Sequence, residues 1–249
     1  KNILNYFPEA KSVICVGMNY FHGIADGEMK ISNYAWGDDY HVLLKERLYQ
    51  LLESVKERLP DVTGVACVDT SPVMEKVWAQ RAGLGWIGKH TNLISRDYGS
   101  WLFLGELILD CELDYDDRFE EDLCGSCTAC LDACPTNAIV EDYLVDSRRC
   151  ISYLTIEHRG DLPDEFAGQL GEWIYGCDIC QEVCPWNQKF SQKSQEPLFA
   201  PTSEIVERNP EEWSRLTEEE YRRIFRNSPV KRAKFTGLKR NIQSVLSNS

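Results

Sequence analysis

No apolar stretch among the 249 residues is long enough to span a bilayer, and the chain does not open on a secretory signal pattern. The first absence argues against a membrane protein. The second argues against an exported disulfide scaffold and predicts a reducing, cytoplasmic compartment. A basic surface is also missing: 27 Lys and Arg stand against 40 Asp and Glu, a net charge of −13. That balance excludes a uniformly cationic, nucleic-acid-coating surface. No C-x3-C-x2-C occurs, which disfavours radical S-adenosylmethionine chemistry.

What the chain does have is eleven cysteines. Eight of them fall into the pattern Cys124-x2-Cys127-x2-Cys130-x3-Cys134-Pro135 and Cys177-x2-Cys180-x3-Cys184-Pro185, with Cys150 between the two runs. In a two-cluster ferredoxin the first three thiolates of such a run hold one cubane and the fourth, followed by Pro, crosses to the other. Cys184 therefore completes the set Cys124, Cys127 and Cys130. The second set takes Cys134, Cys177 and Cys180, but a full repeat needs a further Cys at position 174, where Ile174 stands. Cys150 is the only cysteine in the interval, so the second set closes on it. Zinc is the weaker reading, because a tetrahedral site needs fewer ligands at wider spacing. Two [4Fe-4S] clusters are expected. Cys15, Cys67 and Cys111 stand alone in strand-like segments and read as small buried hydrophobes.

Strand-like runs at 12–18, 62–68 and 101–109 alternate with helical patterns, which suggests an α/β layer ahead of the cysteines. In 39–59, Val42, Leu43, Leu48, Leu51, Leu52, Val55 and Leu59 recur at helical spacing and predict an amphipathic helix. Ser71-Pro72 predicts an N-cap and first turn for a helix reaching about Ala82. Asn209-Pro-Glu-Glu212 and Thr217-Glu-Glu-Glu220 both carry Glu three residues after a capping side chain and predict two helix starts. The glycine run Gly83-Leu-Gly85-Trp-Ile-Gly88-Lys89 matches G-x-G-x-x-G and nearly matches a P-loop. Its context is wrong for both, since a helix precedes it and an extended run, 91–94, follows.

Charge is uneven along the chain. Residues 221–249 carry Arg222, Arg223, Arg226, Lys231, Arg232, Lys234, Lys239 and Arg240 and no acid, leaving 19 basic against 40 acidic residues in 1–220. This basic tail is either a phosphate-binding face or a solvated helix face. The apolar positions Val230, Phe235, Leu238, Ile242 and Val245 predict that the segment packs inward at helical spacing. The chain opens at Lys1 without an initiator Met and runs at once toward a strand, so a segment is expected to precede it.

Four stretches together resemble the epoxyqueuosine reductases, cobalamin-dependent iron–sulfur enzymes of queuosine synthesis in tRNA. They are residues 31–41 (ISNYAWGDDYH), 68–72 (VDTSP) with 81–89 (RAGLGWIGK), 150–157 (CISYLTIE) and 175–187 (YGCDICQEVCPWN). The last two place Cys150 and the displaced second run as this family does and ordinary ferredoxins do not. The ending, 229–234 and 238–241, is also similar. The N-terminal part that helps wall the corrin pocket in the family, and the HEAT-like C-terminal repeat of some members, have no counterpart in these residues.

The resemblance implies an α+β fold. A cobalamin-binding α/β domain (1–110) would lead into a two-cluster ferredoxin-like module (111–195) and a helical C-terminal segment with a basic tail (196–249). It implies a cytoplasmic, monomeric oxidoreductase acting on tRNA that carries epoxyqueuosine and fed by a separate low-potential electron donor. Asp69 matches the family's general acid; an apolar corrin face would raise its pKa by desolvation. Lys89, Ser152, Arg159 and Asp178 fall in matching motifs and are the implied cobalamin contacts, with Trp86 as a flat apolar wall. Tyr40 and His41 would face the pocket or the substrate. Asp39-Tyr-His41 begins a D-x-H-x-x-G pattern, but Leu44 replaces its glycine, so cobalt without a protein histidine ligand is expected. Two other readings are a corrinoid reductive dehalogenase, usually exported, and a non-enzymatic two-cluster electron carrier.

Overall fold

The computed structural model describes residues 2–166 and 168–247. In chain order the strands and α-helices are β1 (Ser12–Asn19), β2 (Lys30–Ile31), α1 (Tyr40–Lys56), β3 (Gly64–Cys67), α2 (Glu75–Arg81), β4 (Trp86–Ile87), β5 (Leu93–Ile94) and β6 (Leu102–Leu109). The cysteine-rich part holds α3 (Ala129–Asp132), β7 (Ile139–Glu141), β8 (Leu144–Val145), α4 (Ile151–Ile156), β9 (Trp173–Tyr175), α5 (Ile179–Glu182) and α6 (Pro185–Phe190). Four helices follow: α7 (Ser203–Val206), α8 (Pro210–Ser214), α9 (Glu218–Ile224) and α10 (Lys234–Leu246).

The three expected strands form one sheet in the order β1-β6-β3. Both pairings are antiparallel, so the strand–helix alternation read from the sequence does not produce the parallel sheet of an α/β layer. Side chains alternate across it with period two. Ile14, Ala66 and Leu107 face α1 and pack with Leu44, Leu48 and Leu52. Val13, Val65 and Ile108 face the other side, with Cys67 and Trp78 of α2. On α1 the i, i+4 row Leu44, Leu48, Leu52 forms the buried stripe, while Val42 falls on the opposite face and is 70% exposed.

Two local expectations meet different outcomes. Both capping boxes are present, Asn209 with Glu212 and Thr217 with Glu220. The helix expected from Pro72 begins only at Glu75, with Met74 in the cap position. Asp69 has φ 47°, and Val73 N–H closes a tight turn onto the Ser71 carbonyl, which uses Ser71-Pro72 in the turn instead. The glycine run is likewise structural. Gly83 closes α2 with φ 78°, and a Cβ on Gly85 would stand 2.0 Å from the Ile94 carbonyl oxygen, so only Gly allows the β4–β5 hairpin.

A second core joins distant parts of the chain. Ala25, Met29, Ile31, Ala35 and Trp36 pack with Ile151, Leu154, Trp173, Ile174, Trp213, Leu238, Ile242 and Val245. Parallel pairing of β2 with β9 makes the link, and Asn241 of α10 donates to the carbonyls of Thr155 and Ile174 at 2.8 and 2.9 Å. Val230, Leu238, Ile242 and Val245 are buried as their spacing predicts, and Phe235 is partly so.

Among the described residues, one buried carboxyl is left without a partner. Glu106 lies mid-strand in β6, 0% exposed, in register with Cys15 on one side and Cys67 on the other, and neither carboxyl oxygen has a hydrogen bond. Burial, then the charge of Glu75, pushes it up to about 8. The folded pKa exceeds the unfolded one, so stability declines as pH rises through the interval from the ordinary Glu value to about 8 and is flat above it. Glu106→Gln removes the titration. The variant should match wild type in thermal melts near pH 4 and exceed it by about 1–3 kcal/mol above pH 8; equal stability at both ends would show that Glu106 ionises freely.

Candidate active site and cysteine cavities

Asp69 stands just past β3, where the positive φ turns its side chain outward; that side chain is 54% exposed. Across from it, Asp39 caps α1 by accepting the His41 N–H, which fixes Tyr40 and His41 on the first turn. The His41 ring then bridges two carboxylates: Nδ1 meets Asp39 Oδ1 at 2.7 Å and Nε2 meets Asp69 Oδ2 at 2.9 Å. Tyr40 stacks on the His41 ring and on Phe103, with centroids 4.1 and 4.0 Å apart, so the imidazole is held from its face as well as its edges.

The electrostatics follow from this bridge. Hydrogen bonds from Asp39, then Asp69, lift His41 to about 9, so it carries a proton at neutral pH. His41 in turn holds Asp69 below the usual carboxylate range. This is opposite to the raised value expected from an apolar surrounding; within the chain the imidazolium outweighs desolvation. Behind Asp69, the Glu75 carboxylate accepts its backbone N–H, and burial pushes Glu75 up to about 7.

Lys76 was not singled out by any motif. It follows Glu75 on α2 and donates to Asn92 Oδ1 at 2.9 Å, and its charge is felt by Cys180 and Cys150 on one side and by Glu75 and Asp69 on the other. Its seven-residue spacing from Asp69, across a turn into a helix, was the available signal. Lys76 and Asn92 are joined by that hydrogen bond, and Ser152, two residues after Cys150, is half-buried.

The cysteines separate into two groups. Cys124, Cys127, Cys130 and Cys184 line a cavity of about 180 Å³ with Ile94, Leu123, Pro185 and Trp186. The thiol of Cys180 is pushed up by burial and then by Cys150, with Cys130 and Cys134 also within reach; Cys177 is raised by burial and then by Cys180 and Cys150. Cys134 Sγ accepts the Ala138 N–H at 3.2 Å. Position 174 shows why the repeat is displaced: Ile174 is a fully buried β9 residue in the C-terminal core, and Cys150 at the head of α4 stands near the second group instead.

Several expected cobalamin contacts lie elsewhere. Trp86 is 1% exposed, with its ring against Phe119 and Trp186 and packed with Cys184; protein covers it, and it offers no open flat wall. Lys89 is buried beside the first cysteine cavity and ion-pairs with Asp142 at 3.0 Å. Asp178 is buried too; it accepts the Ser32 hydroxyl and the Asn33 N–H, the latter at 2.7 Å, and burial pushes it up to about 7. Arg159 is exposed, but its guanidinium donates to the carbonyls of Ile156 and Arg232.

The basic tail is only partly a free face. Arg240 donates to the carbonyls of Leu154, His158 and Gly160, and Lys239 to those of Ser214 and Leu216, so both staple the fold. Arg222 and Arg223 pair with Glu218 and Glu204. Lys231, Arg232 and Lys234 are exposed; Arg232 pairs with Glu157, and its charge reaches Asp69, as that of Lys231 reaches Asp39.

Comparison with known proteins places this geometry. Residues 123–187 match a family described as a 4Fe-4S double cluster binding domain, and residues 1–70 match one described as Epoxyqueuosine reductase QueG, DUF1730. An epoxyqueuosine reductase of Cellulophaga algicola is 49% identical over 236 residues, covering 94% of this chain and 76% of the relative. A solved epoxyqueuosine reductase with an epoxyqueuosine-modified tRNA-Tyr stem loop superposes with a TM-score of 0.86 at 32% identity, over 98% of this chain and 66% of that one. A Bacillus subtilis epoxyqueuosine reductase, whose catalytic aspartate loop is swung out of the active site, gives 0.89 at 31% over 98% and 66%. The double-cluster match and nearly the whole length of the chain thus agree with one group of oxidoreductases, and this chain belongs to the epoxyqueuosine reductase family.

Proposed function

We propose that the chain reduces epoxyqueuosine in the wobble position of tRNA to queuosine, with Asp69 as proton donor and with cobalamin and two [4Fe-4S] clusters as its redox groups. The observation that carries this reading is the bridge Asp39–His41–Asp69, placed beside a lysine whose charge reaches the second cysteine group. The Bacillus subtilis relative, with a catalytic aspartate on a movable loop, supports the role of Asp69, which lies on a turn. The relative with a bound tRNA stem loop supports the substrate.

Cys124, Cys127, Cys130 and Cys184 would hold one cluster and Cys134, Cys150, Cys177 and Cys180 the other. The first set fits, since four thiols share one small cavity whose other walls are mostly apolar, with Lys89 and His90 beside them. Lys76, Asn92 and Ser152 would meet the amide arms and phosphate of cobalamin, a donor set of matching chemistry. When bound, these groups supply two electrons at a potential no side chain reaches, iron–sulfur clusters extending down to about −700 mV.

The rest is proton management by the chain. Removing the epoxide oxygen to leave an alkene takes two electrons and two protons and releases water. Beside the ionised Asp69 the proton rests on His41 Nε2; it passes along their 2.9 Å hydrogen bond to Asp69 and from Asp69 to the departing oxygen, and solvent reloads His41 for the second proton. Asp39 keeps the imidazole oriented and charged. Lys231 and Arg232, whose charges reach Asp39 and Asp69, and the exposed Lys234 would meet phosphates that an otherwise acidic surface repels.

Cys150→Ala should lower iron content toward one cluster and leave the other spectroscopically intact; retention of both would place the eighth ligand elsewhere. Asp69→Asn should keep iron and cobalamin loading while turnover falls by about 10²–10⁴. The wild-type rate should decline as pH rises through about 9, where His41 loses its proton, and His41→Gln should abolish that limb. An unmoved alkaline limb would remove His41 from the relay. Lys231→Glu with Lys234→Glu should weaken binding of tRNA and reduce its salt slope by about 1 per residue, with both metal cofactors retained. Wild-type affinity in that double variant would confine docking to other surfaces.

A further inference from the structure

His90 lines the cavity of Cys124, Cys127, Cys130 and Cys184 from the turn between β4 and β5, and it is 4% exposed. The backbone fixes its tautomer. Asn92 N–H donates to His90 Nδ1 at 3.1 Å, so Nδ1 is the acceptor nitrogen and the ring hydrogen of the neutral form sits on Nε2. Burial, reinforced by the charge of Lys76, holds the ring well below the ordinary histidine range, at about 4, and so keeps it neutral. Nε2 is itself buried and has no hydrogen-bond partner among the described residues. A buried N–H donor without an acceptor bears its full desolvation penalty, and such groups in native proteins have a reason.

We infer that His90 Nε2–H donates to a sulfur of the cluster held by Cys124, Cys127, Cys130 and Cys184, and that it thereby sets the reduction potential of that cluster. The inference rests on the double-cluster reading above. Reduction adds negative charge to the sulfurs, and a hydrogen-bond donor stabilises the more negative state, so the bond raises the potential. The cysteine run alone does not fix which of the two clusters is easier to reduce. One donor on one cluster separates them. Trp86 Nε1 is also buried without a partner nearby, but Trp86 does not line the cavity, so the assignment is made to His90 alone.

The test is an EPR-monitored redox titration of the anaerobically loaded protein. Iron content and the signals of the wild type are measured first. Fewer than two clusters there would overturn the double-cluster reading, and this inference with it. With two clusters present, His90→Leu should lower one midpoint and leave the other in place, by about a tenfold change in the reduction equilibrium, which is about 59 mV for one electron. His90→Gln, which restores an N–H donor, should recover part of the difference. Two unmoved midpoints in a fully loaded His90→Leu protein would overturn the assignment. A second measurement covers a variant that fails to load: wild-type protein grown on ¹⁵N-histidine should show a weak histidine nitrogen coupling to the reduced cluster in pulsed EPR. Absence of that coupling would overturn the inference equally.

Discussion

One buried carboxyl ties the second cysteine run to the segment that leads into the His41 turn. Asp178 lies between Cys177 and Cys180 and accepts hydrogen bonds from Ser32 and Asn33, at the end of the segment that leads into Asp39, Tyr40 and His41. A carboxyl removed from water this completely is tolerated only because both of its oxygens are satisfied. The β2–β9 pairing runs alongside it. Loss of Asp178 would therefore disturb the cysteine loop and the His41 turn together, although it touches neither reacting group.

Two histidines of this chain are held in opposite states by their surroundings. His41 sits between two carboxylates, carries charge at neutral pH and is within reach of solvent. His90 is buried, neutral and fixed in one tautomer by a backbone N–H. The same side chain serves as a proton store in one place and as a fixed dipole in the other, because burial and partners decide which form is stable.

Features encoded by short spacing were legible in the sequence. The helix after Asp39, the two capping boxes and the inward stripe of the last helix all depend on neighbours a few residues apart, and all appear in the fold. Other features depend on where a side chain ends up after distant segments meet. Trp86 and Lys89 are folded against the first cysteine group, and Asp178 is turned inward to Ser32, which their motifs do not reveal. Lys239 and Arg240 read as surface charge; instead they satisfy carbonyls at the ends of neighbouring helices. The late start of α2 was hidden because Asp69 adopts a left-handed backbone that no spacing reveals.

The same long-range pairings govern the order in which the chain can become native. β2 at residues 30–31 is completed by β9 at 173–175, so about 140 residues must be enclosed before that contact forms. Its core further requires α10, the last helix described. Closing so long a loop is slow, and on the ribosome it cannot finish before α10 emerges. Both cysteine runs lie inside or beside that loop. During synthesis the thiols therefore stay on an open chain for an extended period, long after the residues that carry them have been made.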